Sequence, residues 1–197
     1  MKTAVDIVRI LFGRFCSLPS REVDLLASII QMKKIPKGTI LLDEGQIAQY
    51  ITYVDEGLLR QFYYKNGHNV TEHFACEGTL MYCIQSLFRQ EPTELMAEAI
   101  DTSVVYLIPY SELVKLTTQY SSIAQFVRRL LEDGLISSQV KADSWRFETA
   151  EERYLRFLRD FPQAAREAPV GDIASYLLMT PETLSRMRRK ISTSKMK

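Results

Sequence analysis

The stretch from Asp172 to Ile191 constrains the fold most, because it can bury its apolar residues only as two short helices joined by a tight turn. Ile173, Ala174 and Leu177 fall on one face of the first helix, with small Ala174 where a second helix must cross closely. Thr180 supplies a side-chain oxygen suited to an N-cap, and Pro181 fits the first helical position, where a missing N–H costs nothing. From there Leu184, Met187 and Ile191 recur at three- and four-residue steps, leaving Glu182, Ser185, Arg186 and Arg189 on the opposite face. The pattern predicts a helix-turn-helix whose outer face meets a DNA major groove. Arg186 can pair bidentately with guanine and Glu182 can accept from a cytosine amino group, while Thr183, Ser185, Arg188 and Arg189 suit phosphate contacts beside the Thr180 cap. The alternative is a basic amphipathic hairpin that only packs. Cap, proline, core spacing and a polar outer face in combination favour DNA.

The 197-residue chain carries a formal net charge of only +1, yet after Glu182 its ionisable side chains are Arg186, Arg188, Arg189, Lys190, Lys195 and Lys197. Phosphate neutralisation needs a local basic surface rather than a basic protein. With 46% hydrophobic residues, the chain can bury one good core and a smaller second one. Two domains are expected: residues 1–147, a sensor domain ending in a dimerisation helix at about 121–145, and residues 148–197, which bind DNA. No apolar run approaches a membrane span, and charges stand where a signal peptide would need an apolar stretch, so a cytoplasmic protein without a membrane partner is expected. Cys16, Cys76 and Cys83 lack the paired spacings of metal or cluster sites and read as buried free thiols, so neither metal nor cofactor is expected.

From Ile35 to Ile108 the texture changes. Gly38, Gly45, Gly57, Gly67 and Gly78 punctuate short runs rich in β-branched and aromatic residues, at 39–42, 50–54, 58–64, 70–74 and 103–108. Such spacing predicts a small antiparallel roll or barrel. Lys65-Asn66-Gly67-His68 reads as a hairpin tip, since Asn and Gly tolerate the positive φ of a tight turn.

Beyond Tyr110 and Ser111 the period becomes helical. A short helix carries Leu113, Val114 and Leu116, and a longer one carries Ile123, Phe126, Val127, Leu130, Leu131, Leu135 and Ile136. That stripe is too wide to face solvent, so the roll, an identical helix of a second subunit, or both must cover it. Ile123, Phe126, Val127, Leu130, Leu131 and Gly134 are the candidate dimer positions, with Gly134 either permitting close helix approach or merely tolerated. A further helix from about Ala150 to Phe161 turns Tyr154, Leu155, Leu158 and Phe161 inward and stops before Pro162.

A glycine-punctuated roll, a long helix and a C-terminal helix-turn-helix, in that order, resemble the cyclic-AMP receptor/Fnr (Crp/Fnr) family of bacterial transcription regulators. The resemblance rests on Ile35 to Gly45, Val54 to Phe62 and, above all, Pro181-Glu-Thr-Leu-Ser-Arg186. It implies an α+β protein: an N-terminal cyclic-nucleotide-binding-like antiparallel β-roll, a long dimerisation helix and a winged-helix-like helix-turn-helix domain. It also implies base contacts for Glu182, Ser185 and Arg186, a homodimer on double-stranded DNA, contact with RNA polymerase and an unknown small-molecule effector. Two departures stand out. Leu178 occupies a turn position where the family often has glycine, and the sequence given stops at Lys197, short of a wing hairpin, which is expected to be absent or reduced. By resemblance, Glu77, Gly78, Thr79, Leu80, Arg89 and Thr93 mark the effector region. Where cyclic-nucleotide binders place arginine there is Pro92-Thr93, and Glu91, Glu94 and Glu98 oppose an anion, so usual cyclic-AMP binding is not expected.

Other function classes fit less well. A cupin-like enzyme needs several imidazoles converging with a carboxylate, but only His68 and His73 exist, and they read as surface or hydrogen-bonded residues. A sensor or scaffold docking a protein partner would expose aromatics or leucines where Glu182, Ser185 and Arg186 stand. Trp145 is the one candidate for such a hot spot, with a hinge or interdomain role as its alternative.

Overall fold

The computed structural model describes residues 2–13 and 18–194, so Cys16, Lys195 and Lys197 lie outside the described residues. Two ten-residue helices open the chain, α1 (Ala4–Gly13) and α2 (Ser20–Ile29). Thr3 and Asp6 start α1 reciprocally: the Thr3 amide donates to the Asp6 carboxylate at 2.8 Å, and the Asp6 amide donates to Thr3 Oγ1 at 3.2 Å. Ile7, Val8, Leu11 and Phe12 recur at helical steps along α1 and are buried.

Eight antiparallel strands follow: β1 (Gln31–Ile35), β2 (Ile40–Leu42), β3 (Tyr50–Glu56), β4 (Leu59–Lys65), β5 (His68–Ala75), β6 (Leu80–Met81), β7 (Met96–Ala99) and β8 (Ser103–Pro109). Helix α3 (Ile84–Arg89) interrupts them. The strands form two four-stranded sheets, ordered β1-β8-β3-β6 and β2-β7-β4-β5. Between the sheets, Val54, Leu59, Ala75, Met81, Ala97, Val105 and Leu107 make an apolar core. Because side chains alternate along a strand, Ile51, Tyr53, Tyr106 and Ile108 point the other way, into helices. At the expected hairpin tip, Lys65 pairs with His68 across Asn66 (φ 52) and Gly67 (φ 76), both in the left-handed region that a type I′ turn requires.

Six helices complete the described residues: α4 (Tyr110–Gln119), α5 (Ser121–Phe147), α6 (Ala150–Asp160), α7 (Pro162–Glu167), α8 (Val170–Tyr176) and α9 (Pro181–Ser194). The first part of α5 lies in the core of its own chain. Ile123, Phe126 and Leu130 are buried there with α1 and α2, and the Phe12 and Phe126 rings stack at 3.5 Å. The stripe then rotates outward: Leu131, Leu135, Ile136 and Val140 are exposed, Leu135 to 72%. Gly134 serves a contact within the chain, since a Cβ there would sit 2.4 Å from Tyr82 Oη. Helix α6 differs from expectation in one residue pair. Leu155 is exposed, and Phe157 takes the inward place because its ring joins Phe74 of β5 across the joint between roll and C-terminal helices. Helix α7 starts at Pro162, so the proline that ends one helix supplies the first turn of the next.

Helices α6, α7 and α8 pack against the roll beside β5 of the second sheet, and α9 packs on α8. Leu58, Phe74, Cys76 and Ile100 of the roll share one core with Tyr154, Phe157, Ile173, Ala174, Leu177 and Leu184. Cys76 and Cys83 are free and buried. No helix among the described residues is long and apolar enough to cross a membrane.

Candidate nucleic-acid interface

Helices α8 and α9 meet through Ile173, Ala174, Leu177, Leu184 and Met187, all buried, so the small residue at the crossing and the spacing of the apolar ones decide how closely they approach. The turn between them is a Schellman motif. The Met179 amide donates to the Ala174 carbonyl at 3.0 Å and the Leu178 amide to the Ser175 carbonyl at 3.1 Å, satisfying two orphan carbonyls of α8. Leu178 therefore sits at φ 55, the left-handed conformation that glycine adopts without strain. Arg153 of α6 braces the turn from behind, its Nε donating to the Leu177 carbonyl at 3.1 Å and its Nη1 to the Glu148 carbonyl at 2.8 Å. No local pattern marks that brace in the sequence.

Leu178→Gly is expected to raise stability. Relief of the left-handed strain is worth about 1–2 kcal/mol, against about 0.5–1 kcal/mol for the added freedom of a glycine in the unfolded chain. The Leu178 side chain is 55% exposed, so little burial is lost. A denaturant melt should show a net gain of up to about 1 kcal/mol, whereas Leu178→Ala, which keeps the strain, should show none.

Thr180 caps α9, accepting from the Thr183 amide at 3.2 Å, and the two threonine hydroxyls lie 3.2 Å apart. The apolar side of α9 is turned inward. Glu182, Ser185, Arg186 and Arg189 are exposed on the other side, Thr183 and Arg188 are half-buried at its margins, and Thr180 is exposed at its start. The Glu182 carboxyl is held below its usual range by its own backbone N–H and by the Thr180 hydroxyl, so it stays ionised as an acceptor. Lys190, exposed as well, pairs with Glu151 of α6 at 2.5 Å, a contact between α9 and α6. No aromatic residue or leucine stands on the outward face.

The effector-region residues are placed differently. The Glu77 amide donates to Gln163 of α7 at 3.2 Å and its carboxylate accepts from the Gly57 amide, so it belongs to the joint with the C-terminal helices. Gly78 and Thr79 are engaged in the turn before β6, their amides donating to Val54 and Cys76 carbonyls, and Leu80 follows in β6. Arg89 lies exposed in the last turn of α3, in no ion pair among the described residues. Thr93 is buried, its hydroxyl 3.2 Å from Cys83 Sγ and accepting from the Leu95 amide at 2.8 Å. Nor do the described residues include a group of three or more His, Cys, Asp or Glu placed to hold a metal ion.

His68 is exposed at the hairpin tip, but His73 packs edge-on against Phe161 at 6.1 Å rather than lying on the surface. Burial, and then the Lys141 ammonium, lowers its pKa from 6.5 to about 4. The folded value lies below the unfolded one, so the unfolded chain takes the proton first and stability falls as pH drops from 6.5 toward 4. Compared with His73→Gln, the loss should reach at most about 3 kcal/mol, a ceiling because the ring keeps some contact with solvent. Urea melts of both chains at neutral and acidic pH check it. Trp145 is half-buried near the same joint, under Lys141, whose Nζ lies 4.6 Å from its ring centre.

A model of the cyclic nucleotide-binding domain matches residues 32–120. The fumarate and nitrate reduction regulatory protein of Vibrio cholerae is 29% identical over 191 residues, covering 90% of this chain and 76% of its own length. The anaerobic regulatory protein of Haemophilus influenzae is 28% identical over 184 residues, covering 87% of this chain and 71% of its own. Among solved structures, FixK2 from Bradyrhizobium japonicum superposes with a TM-score of 0.73 at 22% identity, over 85% of this chain and 86% of that one. The Thermus thermophilus catabolite activator protein gives 0.56 at 22% identity, over 94% and 88%. These two likenesses show the fold. Roll, long helix and capped helix pair follow one another as in the Crp/Fnr family, and along most of its length the chain is similar to transcription regulators of that family.

Proposed function

We propose that the chain is a sequence-specific DNA-binding regulator acting in the cytoplasm as a homodimer, with residues 1–147 as sensor and dimerisation part and residues 148–197 as DNA reader. The observation that carries this is the two-sided character of α9: a packed apolar face and an exposed face bearing Glu182, Ser185, Arg186 and Arg189. Arg186 and Glu182 read base edges, and Thr180, Thr183, Ser185, Arg188 and Arg189 hold phosphates. Two copies pair along the outward part of α5, where Val127, Leu131 and Leu135 line an open groove with Thr117 and Ala124 of the same chain. Ile123, Phe126 and Leu130 are committed to each protomer's own core and support that face from beneath. Pairing there presents two recognition helices to half-sites about one DNA turn apart.

Selection from a pool of random duplexes at two salt concentrations tests the reading. The native chain should enrich a two-fold-symmetric site. Arg186→Ala should cost about 1–3 kcal/mol at one base pair and relax the preference there, while Arg189→Ala should weaken all sequences alike and lower the salt slope by about one. Equal losses from both changes on every sequence would contradict the roles given, and no enrichment by the native chain would sink the function itself.

The roll is proposed to take an effector without the arginine–phosphate pairing of cyclic-nucleotide sites. Thr93 already spends its hydroxyl on Cys83 and Leu95, and Arg60, the buried arginine of the roll, faces outward toward α8. Calorimetric titration with cyclic AMP should show no saturable binding.

A further inference from the structure

Arg60 lies on the outward face of β4, beneath the first helix of the helix-turn-helix. Its side chain is only 6% exposed, and two carboxylates from different parts of the molecule meet it at 2.5 Å: Glu98 of β7 and Asp172 of α8. Its Nη1 also donates to Asn69 Oδ1 and Thr71 Oγ1, both at 3.1 Å, and the guanidinium lies 4.3 Å from the centre of the Phe62 ring. One cation of the roll is therefore completed by a carboxylate of the DNA-reading part.

A second contact lies alongside. β5 is the edge strand of its sheet, and the Thr71 amide, which a neighbouring strand would otherwise accept, donates to Ser175 Oγ of α8 at 3.0 Å. Lys141 of α5 closes the other side of the joint, donating to the Glu72 carbonyl and pairing with its carboxylate at 2.6 Å. The rings of Phe74, Phe157 and Tyr176 supply adhesion, but apolar contact is non-directional. A buried ion pair adds orientation instead, because any displacement strands a desolvated charge.

We infer that Arg60 is a positioning residue for DNA recognition: through Asp172 it locks α8 in one orientation on the roll, so that α9 is presented already oriented. This rests on the DNA-binding reading above. The lock holds a competent arrangement rather than a blocked one, since Glu182, Ser185, Arg186 and Arg189 remain exposed while α8 is docked. A dimer must seat two recognition helices together. If each pair swings free, the second meets its half-site at a lower effective concentration and the ordering cost falls on binding.

Asp172→Asn in the full chain tests the lock, because it keeps side-chain size and leaves Arg60 with Glu98, Asn69 and Thr71. Amide exchange at Thr71 and along α8 should accelerate. Affinity for the duplex selected by the native chain should fall about tenfold, with base preference and salt slope unchanged. The sign is diagnostic: removing a negative charge from the DNA-reading part would by long-range Coulomb attraction alone strengthen binding. Arg60→Lys, which keeps the charge but cannot serve all four partners with a planar fork, should give an intermediate loss. Unchanged exchange in Asp172→Asn would show that there is no lock, and faster exchange with equal or tighter DNA binding would overturn the positioning role. A native chain that selects no duplex would remove the DNA reading and the positioning role with it, while Thr71 exchange would still report whether Asp172 holds the joint.

Discussion

Phe74→Ala is expected to lower stability by about 3–5 kcal/mol, the range for deleting a fully enclosed aromatic ring. Phe74 has no exposed surface, and its ring centre lies 5.8, 6.4 and 5.5 Å from those of Phe157, Phe161 and Tyr176. The hole would open between roll and C-terminal helices, so cooperativity should suffer as well as stability. Trp145, the only tryptophan, lies by the joint and reports on it, whereas far-ultraviolet dichroism follows the whole chain. The two probes should coincide in the native chain and separate in Phe74→Ala. Coincident transitions with a loss below about 1 kcal/mol would mean that the ring cluster does not couple the two parts.

The second large effect is at Gly57, between β3 and β4. A methyl there would lie 2.3 Å from Ser103 Oγ and 2.7 Å from both Ser103 Cα and the Thr102 carbonyl oxygen, two of them backbone atoms that cannot swing away. Its φ of 93 adds conformational strain, and Ser103 Oγ is already accepting from the Leu58 amide at 3.2 Å. Gly57→Ala should therefore cost about 3 kcal/mol or more, combining overpacking with a left-handed alanine. Gly67→Ala is the matched control. Gly67 has a similar φ of 76 with nothing within 4 Å of the added carbon, so only strain remains, about 1–2 kcal/mol. Equal costs in chemical denaturation would mean that the approach of Ser103 is not what requires glycine at position 57.

Features that depend on residues within a turn or two of one another were legible. The hairpin at Asn66-Gly67 follows from which residues accept positive φ, and the cap at Thr180 with Pro181 follows from which donors a helix start leaves open. The inward faces of α8 and α9 follow from the helical period alone. The six positions offered for dimer contact show where such reasoning stops. The α5 stripe was plain, but Ile123, Phe126 and Leu130 entered the chain's own core while Leu131 and Leu135 stayed outside. Leu155 and Phe157 exchanged places for a similar reason, since the ring that fits against Phe74 wins the inward position.

Sequence by itself determined the strand-rich roll, the turn chemistry and the two-faced character of α9, because periodicity, caps and backbone preference are short-range properties written in neighbouring residues. Tertiary structure alone decided that Arg60 meets Asp172, that Ser175 caps the edge of β5 and that Gly134 admits Tyr82. Such contacts join residues far apart in the chain, and a charge or a small residue carries no local mark of the partner that folding will bring to it.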